Sequence, residues 1–398
     1  MVYIHIPFCG SFCTYCDFYS EIAVGDCFDS YADALCMEME ARRDEFPYHG
    51  ETLYVGGGTP SVLPPEVFSK VAHAAVRLSG YQDFLCSGAG GPPFREFTVE
   101  VNPEDIVMKG RGFVEALGRA GVNRISMGVQ SFDDGILRWM NRRHDGAGAE
   151  NALRIIREAG VTNISIDLIF GISHLDSGLW RRTVEKAAGL GVQHISAYQL
   201  SVEPGSALAG MVRTGKYAEA PESLCREQYD ILCSVLGSAG YHHYEISNFA
   251  LPGFEAVHNS AYWRHVPYAG LGPGAHSLRI TDVASSGEGV PEPVYVRSWN
   301  SPDLRCYMTR YSGDGGNAAC PVSGSETLSS AQVAIERIML GLRTDRGVDE
   351  KFLARHADRA RMETMLDRGF LVRSSEPGFL RIPESCFFIS DSIISDII

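Results

Sequence analysis

Three cysteines within eight residues, Cys9, Cys13 and Cys16, are the part of this sequence whose types and spacing speak most directly of chemistry. They follow a short β-like run, and thiolates four and three residues apart can wrap one loop around a small inorganic core. Cysteine thiolate is the ligand that iron–sulfur clusters select. A closed structural zinc site is the rival, and it needs a fourth ligand from Asp17, His5 or a distant residue. Three merely apolar, buried cysteines would not need so tight a set. A cubane held by three cysteines keeps one iron open, and an open iron can bind a substrate.

Such a loop needs a scaffold, and the rest of the chain alternates strand and helix. Helices are predicted at 28–46, 65–78 and 113–120, and strands at 52–55 and 96–101. Residues 86–94, Cys-Ser-Gly-Ala-Gly-Gly-Pro-Pro-Phe, are expected as a solvated loop. One joint recurs: Ala120-Gly-Val-Asn-Arg-Ile-Ser126, Ala159-Gly-Val-Thr-Asn-Ile-Ser165 and Leu190-Gly-Val-Gln-His-Ile-Ser196 share a shape. In each, glycine can end a helix in the left-handed conformation, and the apolar residues open a buried strand. Strand starts at Tyr3, Thr52, Phe97, Arg124, Asn163 and His194 give six βα units in about 200 residues, close to the size per unit of a (β/α) barrel. The expected fold class is α/β, an incomplete (β/α)6 barrel spanning 1–283.

Beyond Ser201 the pattern loosens. A helix at 223–239 precedes an irregular aromatic and glycine-rich stretch at 258–277. Residues 284–325 turn to Ser, Gly and Pro and are expected as a mobile linker. Helices at 329–342, 350–356 and 358–368 and a hairpin at 370–382 then predict a small α+β, winged-helix-like C-terminal domain at 326–398.

The 398 residues are 45% hydrophobic and 21% charged, enough for one large domain and a smaller one. No apolar run reaches membrane-spanning length, and the cysteine loop lies too near Met1 for a cleavable targeting peptide, so a cytoplasmic protein is expected. The other eight cysteines, Cys27, Cys36, Cys86, Cys225, Cys233, Cys306, Cys320 and Cys386, show no pairing pattern, which suits a reducing compartment. With 35 basic against 49 acidic residues the net charge is -14, and no basic cluster offsets it. A phosphate backbone would be repelled, so a nucleic-acid partner is not expected.

In a (β/α) barrel chemistry collects at the carboxyl ends of the strands. Gly56-Gly57-Gly58-Thr59-Pro60 follows the second strand, and its bare backbone can approach a ligand closely, although a tight turn would use the same residues. Glu100 ends the third strand, Gln130 ends the fourth, and Asp167 lies within the fifth. Buried polar groups need partners, so each is either a structural hydrogen bonder or part of a ligand cup.

The Cys-x-x-x-Cys-x-x-Cys spacing resembles the cluster loop of the radical S-adenosylmethionine (SAM) superfamily. There the open iron of a 4Fe-4S cluster chelates SAM, and electron transfer gives a 5′-deoxyadenosyl radical. From Tyr3 to about Ser277 the chain resembles the oxygen-independent coproporphyrinogen III oxidase group, and within it the haem chaperone branch. The resemblance makes Cys9, Cys13 and Cys16 cluster ligands, and Tyr3, Gly57 and Glu100 contacts of the cluster-bound SAM. It matches Phe18, Gly58, Thr59, Gln130, Arg142, Asp167 and Ser201 to positions that contact a second SAM in the oxidase.

Two departures from the oxidase favour the chaperone branch. The oxidase has a further cysteine where this chain has Phe18, and it has a long segment before its cluster loop. His258-Asn259-Ser-Ala-Tyr262-Trp263 also matches the chaperone branch's His-Asn-x-x-Tyr-Trp motif, associated there with haem. Imidazole can ligate haem iron and the two aromatic faces suit a porphyrin, while a hydrogen-bonded core histidine is the plainer use of the same residues. The resemblance thus implies haem as cargo, delivered to haemoproteins such as respiratory enzymes. It further implies an electron donor, transient membrane association through a recipient complex, and a homodimer. Oxidative decarboxylation of coproporphyrinogen III is the alternative function.

Overall fold

The computed structural model describes residues 1–22, 25–47, 49–82, 84, 92–282, 293–311 and 324–398. Six strands pair in parallel in chain order: β1 (Val2–Ile6), β2 (Thr52–Gly57), β3 (Glu96–Val101), β4 (Arg124–Gln130), β5 (Ile164–Phe170) and β6 (His194–Gln199). Between them run α1 (Phe28–Ala41), α2 (Pro65–Leu78), α3 (Pro103–Arg119), α4 (Asp134–Trp139), α5 (Gly146–Glu158) and α6 (Ser177–Gly189). The three repeated joints work as expected. Gly121, Gly160 and Gly191 have φ of 104°, 90° and 63°, each releasing the chain from a helix into the next strand.

Alternation within each strand sorts the two faces. On β4, Ile125, Met127 and Val129 are fully buried, whereas Arg124, Ser126, Gly128 and Gln130 line the interior cavity. On β5, Ile164, Ile166 and Leu168 are buried while Asp167 and Ile169 face the cavity. The period of two places one row of each strand against the helices and the other row inside. At the carboxyl end of the sheet, Asp133, Asp145 and Asp176 each cap the following helix by accepting a backbone N–H. Such a cap contributes about 1 kcal/mol and fixes where the helix starts.

After β6 come α7 (Ala207–Arg213), α8 (Glu222–Ser238), β7 (His242–Glu245), β8 (Asn248–Ala250), α9 (Val257–Trp263) and β9 (Ala269–Leu271). The sheet order is β9-β1-β2-β3-β4-β5-β6-β8-β7, with β9 parallel to β1 and β8 and β7 antiparallel. Its two edges do not pair with each other among the described residues, so the sheet is open. The six βα units stand as read, but the 258–277 stretch is not irregular: it adds a seventh parallel strand. Gly270 permits this, because its backbone packs against the carbonyl of His276 where no side chain would fit.

Other local readings change as well. The helix expected at 113–120 begins at Pro103 and is interrupted at Gly110, whose φ of 69° breaks the helical run. Most of the loop expected at 86–94 lies outside the described residues, yet Phe94 is buried and packs edge-on against Phe97. Part of the expected 284–325 linker also lies outside them. Its described part is regular, with β11 (Pro293–Trp299) between β10 (His276–Asp282) and β12 (Gly324–Leu328), followed after β11 by α10 (Leu304–Tyr311). The fully buried Glu38 on α1 holds that part to the barrel. It accepts hydrogen bonds from Asn300 Nδ2 (2.7 Å), Tyr307 OH (2.7 Å) and Gly272 N (2.8 Å), and pairs with Arg42. A composition rich in small residues therefore concealed a buried ionic anchor.

The C-terminal region comprises α11 (Ser330–Leu342), β13 (Val348–Asp349), α12 (Glu350–His356), α13 (Arg359–Asp367), β14 (Val372–Arg373), β15 (Phe379–Arg381) and α14 (Ser390–Ile397). The small strands form one sheet in the order β13-β15-β14, so helices and a minor sheet are present as expected. No helix among the described residues is long and apolar enough to cross a membrane.

Candidate SAM and cluster site

The cysteine loop is pinned over the carboxyl ends of the strands. Phe8–Cys9 pairs in parallel with Glu21–Ile22. Thr14 donates from N to Met140 O (3.1 Å) and from Oγ1 to Trp139 O (2.9 Å), while Asn141 Nδ2 donates to Phe12 O (2.7 Å). Beneath the loop lies a cavity of about 830 Å³. Of the residues singled out in the sequence, Cys9, Cys13, Cys16, Phe18, Gly57, Gly58, Thr59, Glu100, Gln130, Arg142, Asp167, Ser201 and Asn259 all line it.

The three thiols are not all within 4.8 Å of one another, whereas ligands on one tetrahedral zinc sit about 3.8 Å apart. His5, a candidate fourth zinc ligand, has both ring nitrogens engaged, Nδ1 with Tyr3 OH (3.0 Å) and Nε2 with Tyr19 O (2.8 Å). The spread suits a larger inorganic core. Burial pushes the Cys9 thiol up and the Cys16 thiol up to about 11, so a cluster bound there would displace their protons. Arg142 supplies positive charge, with NH1 3.4 Å from Cys13 Sγ and NH2 2.6 Å from both Asn102 Oδ1 and Gly128 O. Its Nε has no partner among the described residues. The donor set thus fits a cluster with a ligand beside it.

Glu100 sits at the centre of the cup, accepting from Tyr54 OH (2.6 Å) and Gly57 N (3.0 Å). Burial, reinforced by the Asp167 carboxylate, pushes it up to about 7. Burial also raises Asp167, against the Ser196 hydroxyl and Arg124. Two carboxyl groups in the same cavity give it an acidic patch that a cationic ligand can ionise and pair with. Gly57 makes the wall thin: its φ is 109°, and a Cβ there would lie 2.5 Å from His5 Nδ1. Gly57→Ala is expected to lower stability by about 1–3 kcal/mol through backbone strain and the displaced imidazole. Urea unfolding measures this, and an unchanged midpoint would mean that the wall is not close-packed.

Four predicted residues lie outside the cavity lining. Tyr3 packs beside Tyr54, ring centres 6.1 Å apart, with its hydroxyl on His5. Trp263 is half-buried elsewhere on α9. His258 is buried, its Nδ1 2.8 Å from Thr52 Oγ1 and its Nε2 3.1 Å from Tyr262 OH. Burial pushes its imidazole down to about 3, so the ring stays neutral. Glu96 accepts from Val257 N (2.7 Å) and His258 N (3.0 Å), holding α9 under the amino ends of β2 and β3. The His-Asn-x-x-Tyr-Trp helix is thus the floor of the barrel, with Asn259 its member that reaches the cavity. Tyr54, Arg124, Ser196 and Tyr198 also line the cavity and were not singled out. The inward-facing parity of their strands is the signal that could have found them.

A parallel α/β sheet with three cysteines on the loop after its first strand defines a radical SAM protein, and the model described as "Radical SAM superfamily" matches residues 3–187. Within that class the similarity extends much further. A haem chaperone HemW of Mycobacterium tuberculosis (strain ATCC 25618 / H37Rv) is 34% identical over 93% of this chain and 88% of its own length. A haem chaperone HemW of Bacillus subtilis (strain 168) is 31% identical, with 98% and 94% covered. The chain belongs to the HemW family. Its fold matches that of the coproporphyrinogen III oxidase HemN of Escherichia coli, with a TM-score of 0.76 over 99% of this chain and 89% of that one at 20% identity.

Proposed function

We propose that this chain is a cytoplasmic haem chaperone that binds haem and hands it to haemoproteins, respiratory enzymes among them. It would carry a 4Fe-4S cluster on Cys9, Cys13 and Cys16 and SAM in the cup beside it. The observation that carries this reading is the reach of the similarity to HemW chaperones, which runs through barrel and C-terminal region alike. An electron donor, transient membrane association through a recipient complex and a homodimer belong to the same proposal. So does the division into a barrel, a connecting segment and a C-terminal domain.

When bound, a cluster held by Cys9, Cys13 and Cys16 would supply electron-transfer chemistry beside SAM, and the chain's own residues would hold and orient the ligand. Glu100, with Asp167 behind it, would take the cationic part of SAM. The backbone of Gly57 and Gly58 would lie against it, and Thr59, Gln130 and Ser201 would offer hydrogen bonds to its polar groups. Arg142 would offset negative charge on the cluster side.

Haem would meet the chain at the mouth of the cavity. Phe12 and Phe18 line the opening yet are 52% and 69% exposed, and two bare aromatic rings over a polar cup suit the flat face of a porphyrin. His258 could ligate iron only by giving up Tyr262 or Thr52, so the floor helix would shape the site from below. The deciding experiment offers haem and coproporphyrinogen III separately, under anaerobic conditions, to cluster-loaded protein with SAM and a reductant. Haem is expected to bind and coproporphyrinogen III to remain intact. Replacing Phe12 and Phe18 together by Ala should weaken haem binding at least about tenfold, given roughly 1.5–3 kcal/mol for each buried aromatic side chain. Robust decarboxylation would overturn the chaperone reading. Haem affinity indifferent to the double change would move the contact away from the mouth.

A further inference from the structure

A second group of ligand-type side chains lies outside the cavity lining, where the barrel meets the C-terminal region. Cys233 on α8, His243 on β7 and Glu384 on the short turn Glu384–Ile389 place one ligand atom each within 4.8 Å of the others. His243 Nδ1 is 3.8 Å from Cys233 Sγ and 3.0 Å from Glu384 Oε1. Bond lengths of about 2.3 Å to sulfur and about 2.0–2.1 Å to nitrogen and oxygen, at tetrahedral angles, separate zinc ligands by about 3.6 Å and about 3.3 Å. Both distances from Nδ1 are close to these values, and the third pair lies within 4.8 Å, so one small ion can reach all three atoms.

The imidazole is aimed and held. Its ring stacks on Phe249 at 4.0 Å and meets Phe387 edge-on at 5.0 Å, and its side chain is only 2% exposed. Nε2 faces Ile246 O at 3.4 Å and Tyr229 OH at 3.3 Å. Tyr229 OH itself donates to Ile246 O (2.9 Å), so both oxygens can only accept from the ring, and Nε2 carries the hydrogen that points at them. That tautomer leaves a lone pair on Nδ1 facing a carboxylate and a sulfur, an arrangement that needs a proton or a cation between the groups. Donation of the second ring N–H to a backbone carbonyl is also what orients histidine ligands in metal sites.

We propose that Cys233, His243 and Glu384 form a binding site for a zinc-like divalent cation that fastens the C-terminal region to the edge of the barrel sheet. One thiolate, one imidazole and one carboxylate with the fourth position left to water is a donor set that zinc accepts. Without the ion, burial and the carboxylates of Glu384 and Asp230 keep the Cys233 thiol protonated, and binding releases that proton.

The test uses full-length, cluster-loaded protein dialysed against buffered zinc, with zinc and iron both counted by mass spectrometry. About one zinc per chain is expected beside the cluster iron, with sulfur, nitrogen and oxygen neighbours in its X-ray absorption spectrum. Cys233→Ser and Glu384→Gln should each weaken zinc at least about tenfold while leaving iron unchanged. Glu384 is 53% exposed, so its variant keeps the test valid should Cys233→Ser fail to fold. No zinc retained at micromolar free metal, or retention that ignores both substitutions, would overturn the site and leave a proton-bridged His–Glu pair.

Discussion

Replacing Cys9, Cys13 or Cys16 by Ala is expected to take the reconstituted protein from about four irons and four sulfides per chain to essentially none. The effect is all-or-none because a cubane with three protein ligands has no spare one, and the nearest other candidates are occupied or acidic. His5 is committed to Tyr3 and Tyr19, and Asp17 offers oxygen, which iron–sulfur clusters do not select. The fold should survive the change. The loop is held by Thr14 and Asn141 rather than by its thiols, and the sheet beneath it is packed from β1 to β6 independently. Iron and acid-labile sulfide analysis, with circular dichroism as the control, checks this. Four irons retained by any of the three variants would remove that cysteine from the ligand set, and a stable stoichiometric zinc in the loop instead of a cluster would end the radical SAM reading.

The barrel was legible because its signals are local. Each glycine joint pairs a left-handed residue with an apolar run, and both halves can be seen in seven letters of sequence. The cysteine loop was legible for the same reason. What escaped were features that depend on partners distant in the chain. Tyr54 is an unremarked strand residue until Glu100 on the next strand accepts its hydroxyl. Arg124 looks like a polar start to β4 until the strand parity turns it inward beside Ser126 and Gly128. For His258 the residue type alone favoured a hydrogen-bonded core histidine, and only the resemblance tied it to haem; Thr52 and Tyr262 engage both its nitrogens. Strand β9 was hidden by its glycine, and the anchoring of α10 was hidden because its glutamate lies 269 residues upstream, Glu38 to Tyr307.

SAM affinity of the cluster-loaded protein is expected to rise with pH and to level off in mildly alkaline solution, with Glu100 as the cause. Burial and Asp167 lift the folded carboxyl to about 7 from an ordinary value of 4.5. Between those two values the folded chain holds a proton that the unfolded chain has lost. The unliganded fold is therefore penalised progressively as pH rises through that window, the sign opposite to that of a salt-bridged carboxylate. A cationic ligand reverses the preference, since it needs the ionised form and stabilises it. Ionisation near 7 makes affinity grow roughly tenfold between pH 6 and pH 8 and little beyond. Glu100→Gln keeps the shape and the Tyr54 contact but carries no charge, so it should bind SAM weakly at every pH and lose the slope. Calorimetric titration of SAM at a series of pH values into wild type and variant, with iron content verified for each, measures both features. A variant that keeps wild-type affinity, or a slope that persists without the carboxylate, would assign the cation to Asp167 or another group and withdraw Glu100 from the cup.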